Sequence, residues 1–594
     1  MPVWLDPFAH VCNQHKRTGE LAFSSAGMNR RQNRGVVPQR TISYSFLMMQ
    51  KVTNSEGTIF IMSIDSLLFS CGALVAASLF FLIRALLPSQ QDVKQAKLWK
   101  ELDMVGIPSS WVFPWARGLV GSLTSMMQNV HEGYEKICKA KNRPFAVPTM
   151  WTGNAVVVLP PSLLHLVNAP ENELTGFWAL IENIQLPYFI PHRDVIENVI
   201  HFEVSRKDLT KRNVERQAAP TADEVDVCFR ELWGTDTKQW KTINGWEMCG
   251  SIIARVALRT LVGYPMCRNE TLLEQTRKFA DALFGAAAVI NCTPPFVRPV
   301  LGPFLALPAK RYGARCRKIL EPLVRERIRM WEEHNETGNG ELPSDFLQWL
   351  IPRCAGHGPE HMDPTKIAMR ILALNTMFIF AMSYVFAHTV IDLCASPDKD
   401  EFLRGIEEEC RRVVTEHHPE GLASKEAVDK LYRVDSAIRE SMRLSDVGIV
   451  TLPRDVVGNK PLDLGNGIII PPGTRLVYPT QPMHVDPDYY HEDPLRFDAF
   501  RFSRPFEEGQ QSDNEEKSRE LMITLTPGFL AFGYGKRACP GRWFVAQTLK
   551  QALGYLVMNY DIELVGKPPK RKALLNMMIP PTGAKLRVRR KPES

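Results

Sequence analysis

The sequence predicts a mainly α-helical domain with a minor β-sheet region, preceded by a single transmembrane helix. Three observations carry this reading. Apolar residues recur at helical spacing through most of the chain beyond Pro88. Strand-like runs are few and short, and Pro and Gly bound them. One uncharged stretch near the N-terminus is long enough to enter a bilayer.

Residues 1–57 come first. They are polar, carry Arg30, Arg31, Arg34 and Arg40, and lack apolar periodicity, so they read as a disordered extension. Residues 58–87 read as the membrane anchor. Their core is "SLLFSCGALVAASLFFLI", Ser66 to Ile83, eighteen residues without a charge between Asp65 and Arg84. A hydrocarbon core of ~30 Å takes ~20 such residues, with slight extension at either end here. No small-residue cleavage site follows before "LLPSQQD", which argues against a removed signal peptide.

Residues 88–594 read as one globular domain. Helical periodicity spans Leu174 to Asn183, Glu247 to Val262, Glu274 to Val289 and Arg311 to Glu333. It resumes over Pro364 to Ala395, Asp398 to Glu416, Glu426 to Leu444 and Pro540 to Asn559. Strand signals lie in "NAVVVLP" around Val156, "GIIIPPGTRLVYP" around Ile468 and "AKLRVRR" near the C-terminus. The run Glu507 to Glu520, "EEGQQSDNEEKSRE", reads as a solvated loop.

A net charge of +7 over 594 residues is modest, and no basic stripe with interleaved aromatics is present, so no nucleic-acid partner is expected. The twelve cysteines are scattered, with no C-x-x-C pair and no zinc-ligand spacing. That pattern suits reduced thiols facing a cytosol-like compartment.

One cysteine stands apart. "FGYGKRACPGRWFVA" holds Cys539 in a turn that contains Gly533, Gly535 and Gly541. Pro540 reads as the first residue of the following helix. Cys539 would then lie at a helix N-terminus, where free N–H groups favour a thiolate. Such a thiolate suits an axial iron ligand tuned by backbone N–H bonds. Arg537 is placed to pair with a carboxylate of the same ligand, and Phe532 to shield the sulfur from water.

The spacing F-x-x-G-x-R-x-C-x-G, from Phe532 to Gly541, resembles the haem-thiolate loop of the cytochrome P-450 family. Two further stretches strengthen the resemblance. "ESMR" sets Glu440 and Arg443 three residues apart on one helix face, and "DPLRFDAFRF" supplies Arg501. The resemblance runs from about Pro108 to the C-terminus and is closest to membrane-bound fungal secondary-metabolite members.

What the resemblance implies is specific. The fold is the cytochrome P-450 fold, the cofactor is haem b and the iron ligand is Cys539. Phe532, Gly535, Arg537, Gly541 and Arg454 are the cofactor-binding positions. Glu440, Arg443 and Arg501 form a buried charge network beneath the haem. The W-x-x-x-R element of many members is not evident, and Lys207 or Lys211 are candidate substitutes. Electrons come from NADPH through a separate reductase, received on a basic surface that includes Lys536, Arg542 and Lys550. The location is the endoplasmic reticulum, single-pass, with the catalytic domain cytosolic. The basic extension favours the opposite orientation by the positive-inside rule. A cytosolic domain leaves the sequons at Asn269, Asn291 and Asn335 unglycosylated. The substrate is a small apolar molecule of terpenoid or polyketide type, held against Phe378, Met382, Val450, Met577 and Met578.

One element departs from the family pattern. The oxygen-side helix usually carries a small residue, then an acid and a threonine. Here "FIFAMSYVF" puts Ala381 at the acid position and Met382 at the threonine position, with Phe378 or Ile379 in place of the small residue. Ser383 is one step along and, at ~100° per residue, points elsewhere, where it is expected to bond back to the Ile379 carbonyl. Two alternatives to a monooxygenase follow from this departure: a haem-thiolate isomerase or dehydratase that needs no O2, and a catalytically idle haem-binding protein.

Overall fold

The computed structural model describes residues 50–54, 57–61, 90–109, 113–507 and 520–592. The chain divides into two units, Met1–Leu82 and Ile83–Ser594. In the first, β1 (Gln50–Asn54) and β2 (Gly57–Ile61) pair antiparallel from Gln50↔Ile61 to Asn54↔Gly57. Gln50–Asn54 belongs to the stretch read as disordered, and β2 to the start of the expected anchor. The anchor core Ser66 to Ile83 lies outside the described residues, as does the greater part of the polar loop expected over Glu507 to Glu520.

The second unit is built on helices α1 (Pro114–Gly133), α2 (Ala218–Trp233), α3 (Gly245–Val262), α4 (Glu270–Asn291), α5 (Leu307–Thr337), α6 (Pro364–Ala395), α7 (Lys399–Glu416), α8 (Tyr432–Leu444) and α9 (Arg542–Asn559). Helix α6 is central and packs against α3, α4, α5, α8 and α9. Its start is fixed by Pro364 in the first turn and by Asp363, whose side chain accepts the Thr365 N–H at 2.9 Å. Among the described residues it is the helix long and apolar enough to cross a membrane. Protein nevertheless buries 78% of its most apolar window, so it is the core of the domain.

The larger sheet has six strands, in the order Asp103–Met104, β3 (Phe145–Thr149), β4 (Asn154–Val158), β6 (Arg475–Tyr478), β5 (Thr451–Val456) and Leu174–Thr175. β3 and β4 form an antiparallel hairpin, while β4 and β6 run parallel. A second, antiparallel sheet joins β7 (Tyr560–Val565), β8 (Lys585–Arg590) and Lys241–Asn244. Arg298 ties the segment after α4 to the β3–β4 turn. Its buried guanidinium donates to the carbonyls of Met150 at 2.8 Å, Trp151 at 2.9 Å, Thr293 at 3.1 Å and Asn291 at 3.3 Å.

Several expected elements change in the structure. Leu174 and Thr175 pair with Val456 and Asp455 as a strand, so the helix expected from Leu174 begins only at Phe177. The helix expected over Glu426 to Leu444 is broken into Lys425–Asp429 and α8. The buried Glu409 carboxylate causes the break: it accepts the backbone N–H of Tyr432 at 2.8 Å, Arg433 at 2.9 Å and Val434 at 3.2 Å, giving α8 its own N-terminus. Helix α9 starts at Arg542, after Gly541, and leaves Pro540 in the preceding turn. The sequence reading passes over α1, α2, Phe346–His357, β3, β5 and β7.

The packing of α1 on β3 gives a direct test. A Cβ on Gly133 would lie 2.1 Å from Cε2 of Phe145, which is fully buried. Gly133→Ala is therefore expected to destabilise the domain by about 1–3 kcal/mol through overpacking. The check is a lowered thermal midpoint with the helical circular-dichroism signal intact.

Candidate active site at the cysteine turn

The turn that carries Cys539 is stiff for identifiable reasons. Gly533 and Gly535 adopt φ of 80° and 59°, in the left-handed region that side-chain-bearing residues resist. The Asn168 carboxamide packs where a Gly535 side chain would stand, and its Oδ1 accepts the Lys536 N–H at 2.8 Å. The Cys539 N–H donates to the Phe532 carbonyl at 2.7 Å and closes the loop on itself. Arg542 donates to the Cys539 carbonyl at 3.0 Å, and its guanidinium lies 3.6 Å from the Trp543 ring centre. Burial pushes the Cys539 thiol up; the N–H groups of Gly541 and Arg542 and the Arg542 charge act the other way. The N–H groups reach the sulfur even though α9 begins three residues later than Cys539.

Two arginines converge beside this turn. Arg537 pairs with Glu171 at 3.0 Å. Arg454 is buried and donates to the carbonyls of Pro453 at 2.8 Å and Val167 at 3.4 Å, in space left by the missing side chain of Gly176. Burial lowers the Arg454 pKa, Glu171 opposes that, and the like charge of Arg537 adds to it. Lys207 instead pairs with Glu203 on an exposed helix face, and Lys211 is exposed.

Helix α6 crosses the other side. Phe378 Cε1 lies 3.8 Å from the position a Cβ on Gly541 would take, and the Cys539 sulfur lies 3.9 Å from the same point. The Phe378 and Phe544 rings are 5.4 Å apart between centres. Met382, one turn on, is buried, whereas Ala381 is exposed in the middle of an otherwise buried helix. Ser383 faces Gly250 on α3, away from the cysteine. Its buried hydroxyl has no partner, so the expected bond to the Ile379 carbonyl is not made. It turns instead into a small cavity lined by Gly250, Ile379 and Phe380.

The charge network is assembled. Arg443 makes a two-pronged pair with Glu440, Nε to Oε2 and Nη2 to Oε1, each at 2.7 Å, with both side chains fully buried. Arg501 Nε reaches Glu440 Oε1 at 3.1 Å, and the Asp498 N–H donates to the same oxygen at 3.2 Å. The remaining Arg443 donor serves the carbonyls of His484 at 2.7 Å and Pro494 at 2.6 Å. Sequence reasoning misses the neighbours. Arg439, one turn earlier on α8, lies between the rings of Phe502 and Phe529, at 4.6 Å and 4.1 Å. His484 stacks on Phe529 and accepts the Leu530 N–H on Nε2 at 2.8 Å. Its Nδ1 faces Asp446 at 3.7 Å, and burial pushes the Asp446 carboxyl up to about 7. The "ESMR" spacing could have flagged Arg439 as a buried helix position; nothing in the sequence signals the contact of Asp446 with His484.

The expected substrate wall divides. Met577 is half-buried and borders a crevice with Trp151. Val450 and Met578 are instead packed into the core around the larger sheet. Met577 and Met578 are successive strand residues, so their side chains leave on opposite faces. Lys550 is a further correction: it is buried, 3.6 Å from Asp435, and belongs to no exposed basic surface. Lys536 is exposed, and Arg542 is half-buried.

Comparison with known proteins gives one family. The cytochrome P450 family model matches residues 113–588. The chain is 33% identical over 516 residues to cytochrome P450 monooxygenase gloP of Glarea lozoyensis, covering 84% of this chain and 92% of that one. It is 34% identical over 515 residues to cytochrome P450 monooxygenase htyF of Aspergillus rugulosus, covering 84% and 74%. Cytochrome P450 monooxygenase okaG of Penicillium ochrochloron is 29% identical over 482 residues, covering 77% and 88%.

Two outcomes test the buried charges. Glu440→Gln is expected to cost about 3–5 kcal/mol, because Arg443 keeps its charge without its carboxylate; the measure is the fraction of expressed protein that folds and retains cofactor. Asp446 titrates near 7 when folded, well above an unfolded carboxyl at about 3.9. The folded state therefore holds the extra proton, and stability falls as pH rises from about 4 through 7. Asp446→Asn is expected to flatten that fall, read as the thermal midpoint across the pH range.

Proposed function

Because the chain belongs to the cytochrome P450 family and is a monooxygenase, we propose that it inserts one atom of O2 into a sizeable apolar molecule of terpenoid or polyketide type, with Cys539 as the residue that would hold haem iron. The observation that carries this reading is the donor set around the cysteine turn. Cys539, a half-buried residue, has two backbone N–H groups directed at its sulfur, and Arg537, paired with Glu171, lies within electrostatic reach of the buried Arg454. That set suits an iron porphyrin, with a thiolate for the metal and one arginine for each of its two carboxylates. Haem bound here supplies the redox and O2 chemistry.

The protein's own residues position, insulate and supply protons. Phe532, buried beside the turn, keeps water from the sulfur. Arg454 and Arg537 would hold the two haem carboxylates. Glu440, Arg443 and Arg501 brace the segment beneath. Phe378 and Met382 form an apolar wall on α6. Neither Ala381 nor Met382 can hold a transferable proton. The proton path therefore runs through water or a substrate hydroxyl, and the exposed surface of Ala381 gives water access to that turn. A positioned acid is typically worth ~10²–10⁴-fold, so catalysis without one is slower but not abolished.

Electrons reach the site from NADPH through a separate reductase, which docks where Lys536 presents its charge. The domain rests on the endoplasmic reticulum membrane, on its cytosolic side. Exposed apolar residues support this. Phe113 and Val120, at and just after the start of α1, and Val300 and Phe304, just beyond Arg298, are exposed, Phe113 by 77% and Phe304 by 67%. Burial of Asn291 is incompatible with a glycan there, and a cytosolic domain would carry none.

Cys539→Ser is expected to lose the thiolate signature of the ferrous–CO spectrum, whereas Cys138→Ser keeps it. An unchanged spectrum in folded Cys539→Ser would defeat the assignment. With a ligand that shifts the haem spectrum, product is expected only with O2, NADPH and reductase together, accompanied by peroxide release that Met382→Thr reduces. Equal product in anaerobic, reductase-free tubes would favour an isomerase or dehydratase, and no product in any tube an idle binder.

A further inference from the structure

The buried charge network and the cysteine turn meet at His484. It is the last residue of the short helix Thr480–His484 and is closed to solvent. Its carbonyl accepts from Arg443 Nη1 at 2.7 Å, which ties it to the network of Glu440 and Arg501. Its ring serves the other side. Nε2 accepts the Leu530 N–H at 2.8 Å, and the imidazole stacks on Phe529, 5.3 Å between centres and 15° between planes. From Leu530 the bonds run on into the turn. The Leu530 carbonyl accepts the Gly533 N–H at 2.8 Å, and the Phe532 carbonyl accepts the Cys539 N–H at 2.7 Å. A path of hydrogen bonds from the charge network to the cysteine backbone thus passes through this imidazole.

That path holds in one form of the ring. A backbone N–H can only donate, so Nε2 must present its lone pair, and the ring proton sits on Nδ1. A second proton would turn Nε2 into a donor and break the contact with Leu530. Burial opposes that proton, as do the charges of Arg443 and Arg439, and the imidazole is pushed down to about 3. Nδ1 faces Asp446 Oδ2 at 3.7 Å, and neither atom has a hydrogen-bond partner. Asp446 is itself anchored, since its Oδ1 accepts the Gly448 N–H at 3.3 Å. A carboxyl oxygen therefore stands opposite the Nδ1–H and favours that tautomer, as a carboxylate does behind a metal-bound imidazole. Here the other nitrogen grips backbone instead of a metal.

We propose that His484 is a positioning residue for Cys539: its bond to Leu530 holds the turn in the geometry an iron ligand needs, and Asp446 holds His484 in the tautomer that makes that bond. The inference rests on the haem-thiolate reading of Cys539, which it deepens by naming what keeps the ligand in place.

The test compares three substitutions in the full-length, cofactor-loaded protein. His484→Gln brings a carboxamide oxygen near the place of Nε2 and can still accept the Leu530 N–H. His484→Asn ends one methylene short of it. His484→Phe keeps a ring to stack on Phe529 but accepts nothing. The readout is the ferrous–CO spectrum followed over time at fixed temperature, which reports the thiolate without turnover. The thiolate signature is expected to decay about tenfold faster in His484→Phe and His484→Asn than in wild type, the usual worth of one buried N–H left unpaired. His484→Gln is expected to match wild type. A role in packing alone predicts another order, with His484→Phe best retained, and that order overturns the proposal, as does equal decay in all four proteins. If His484→Phe fails to fold, the Gln and Asn variants carry the comparison. Hydrogen exchange of wild type, read by mass spectrometry, is expected to show the Leu530 amide as protected as the core of α8; free exchange there overturns the proposal whatever the variants do. A wild-type protein with a protected Leu530 amide but no thiolate signature would instead break the assignment of Cys539, which separates the two failures.

Discussion

The two-pronged pairing of Arg443 with Glu440, at zero exposure to solvent, constrains everything beneath the cysteine turn. Two charges taken fully out of water cost several kcal/mol each, and only good geometry with every remaining donor satisfied offsets that. The fold meets the condition by bringing backbone to the pair. The carbonyls of His484 and Pro494 take the spare Arg443 donor, and the Asp498 N–H and Arg501 add to the carboxylate. Because those groups come from segments far apart in sequence, the pair fixes the path of the chain from α8 to the residues that precede the turn. Arg439, one helical turn away, meets the condition only in part: the carbonyls of Leu521 and Thr524 and two aromatic faces surround it, but its buried Nε has no partner.

The cysteine turn inherits that rigidity and adds its own. Helix α9 supplies the floor, α6 the roof, and the short helix Pro161–Asn168 the side that locks Gly535 in place. Thus one thiol, two guanidinium groups and one phenylalanine ring arrive together from three regions of the chain: the cysteine turn, β5 and α6. The arrangement is unusual on the α6 side, where Phe378, Ala381 and Met382 offer shape and no proton.

Much of this was legible in the sequence. Helix α6 spans the residues its periodicity marks, Pro364 to Ala395, and its start follows from the local chemistry of Asp363 and Pro364. The cysteine turn and the Glu440–Arg443 step are short-range patterns, whereas Arg501, 61 residues from Glu440, joined them only through the family resemblance. Other features depend on contacts from elsewhere in the chain. The break before α8 comes from Glu409 on α7, and the strand at Leu174 from pairing with β5. Lys550 reads as a surface cation because its partner, Asp435, is more than a hundred residues away. Met577 and Met578 differ in burial because successive strand residues face opposite ways.

Arg298 has a kinetic implication. Its guanidinium serves four backbone carbonyls at once, two from the β3–β4 turn and two from the end of α4. Such a clasp couples the two segments, for once the turn's two carbonyls leave, the buried cation keeps only the carbonyls at the end of α4 and Glu182 at 3.5 Å. Local opening of the hairpin turn and of the segment after α4 is therefore expected to occur together, at a rate that Arg298 sets.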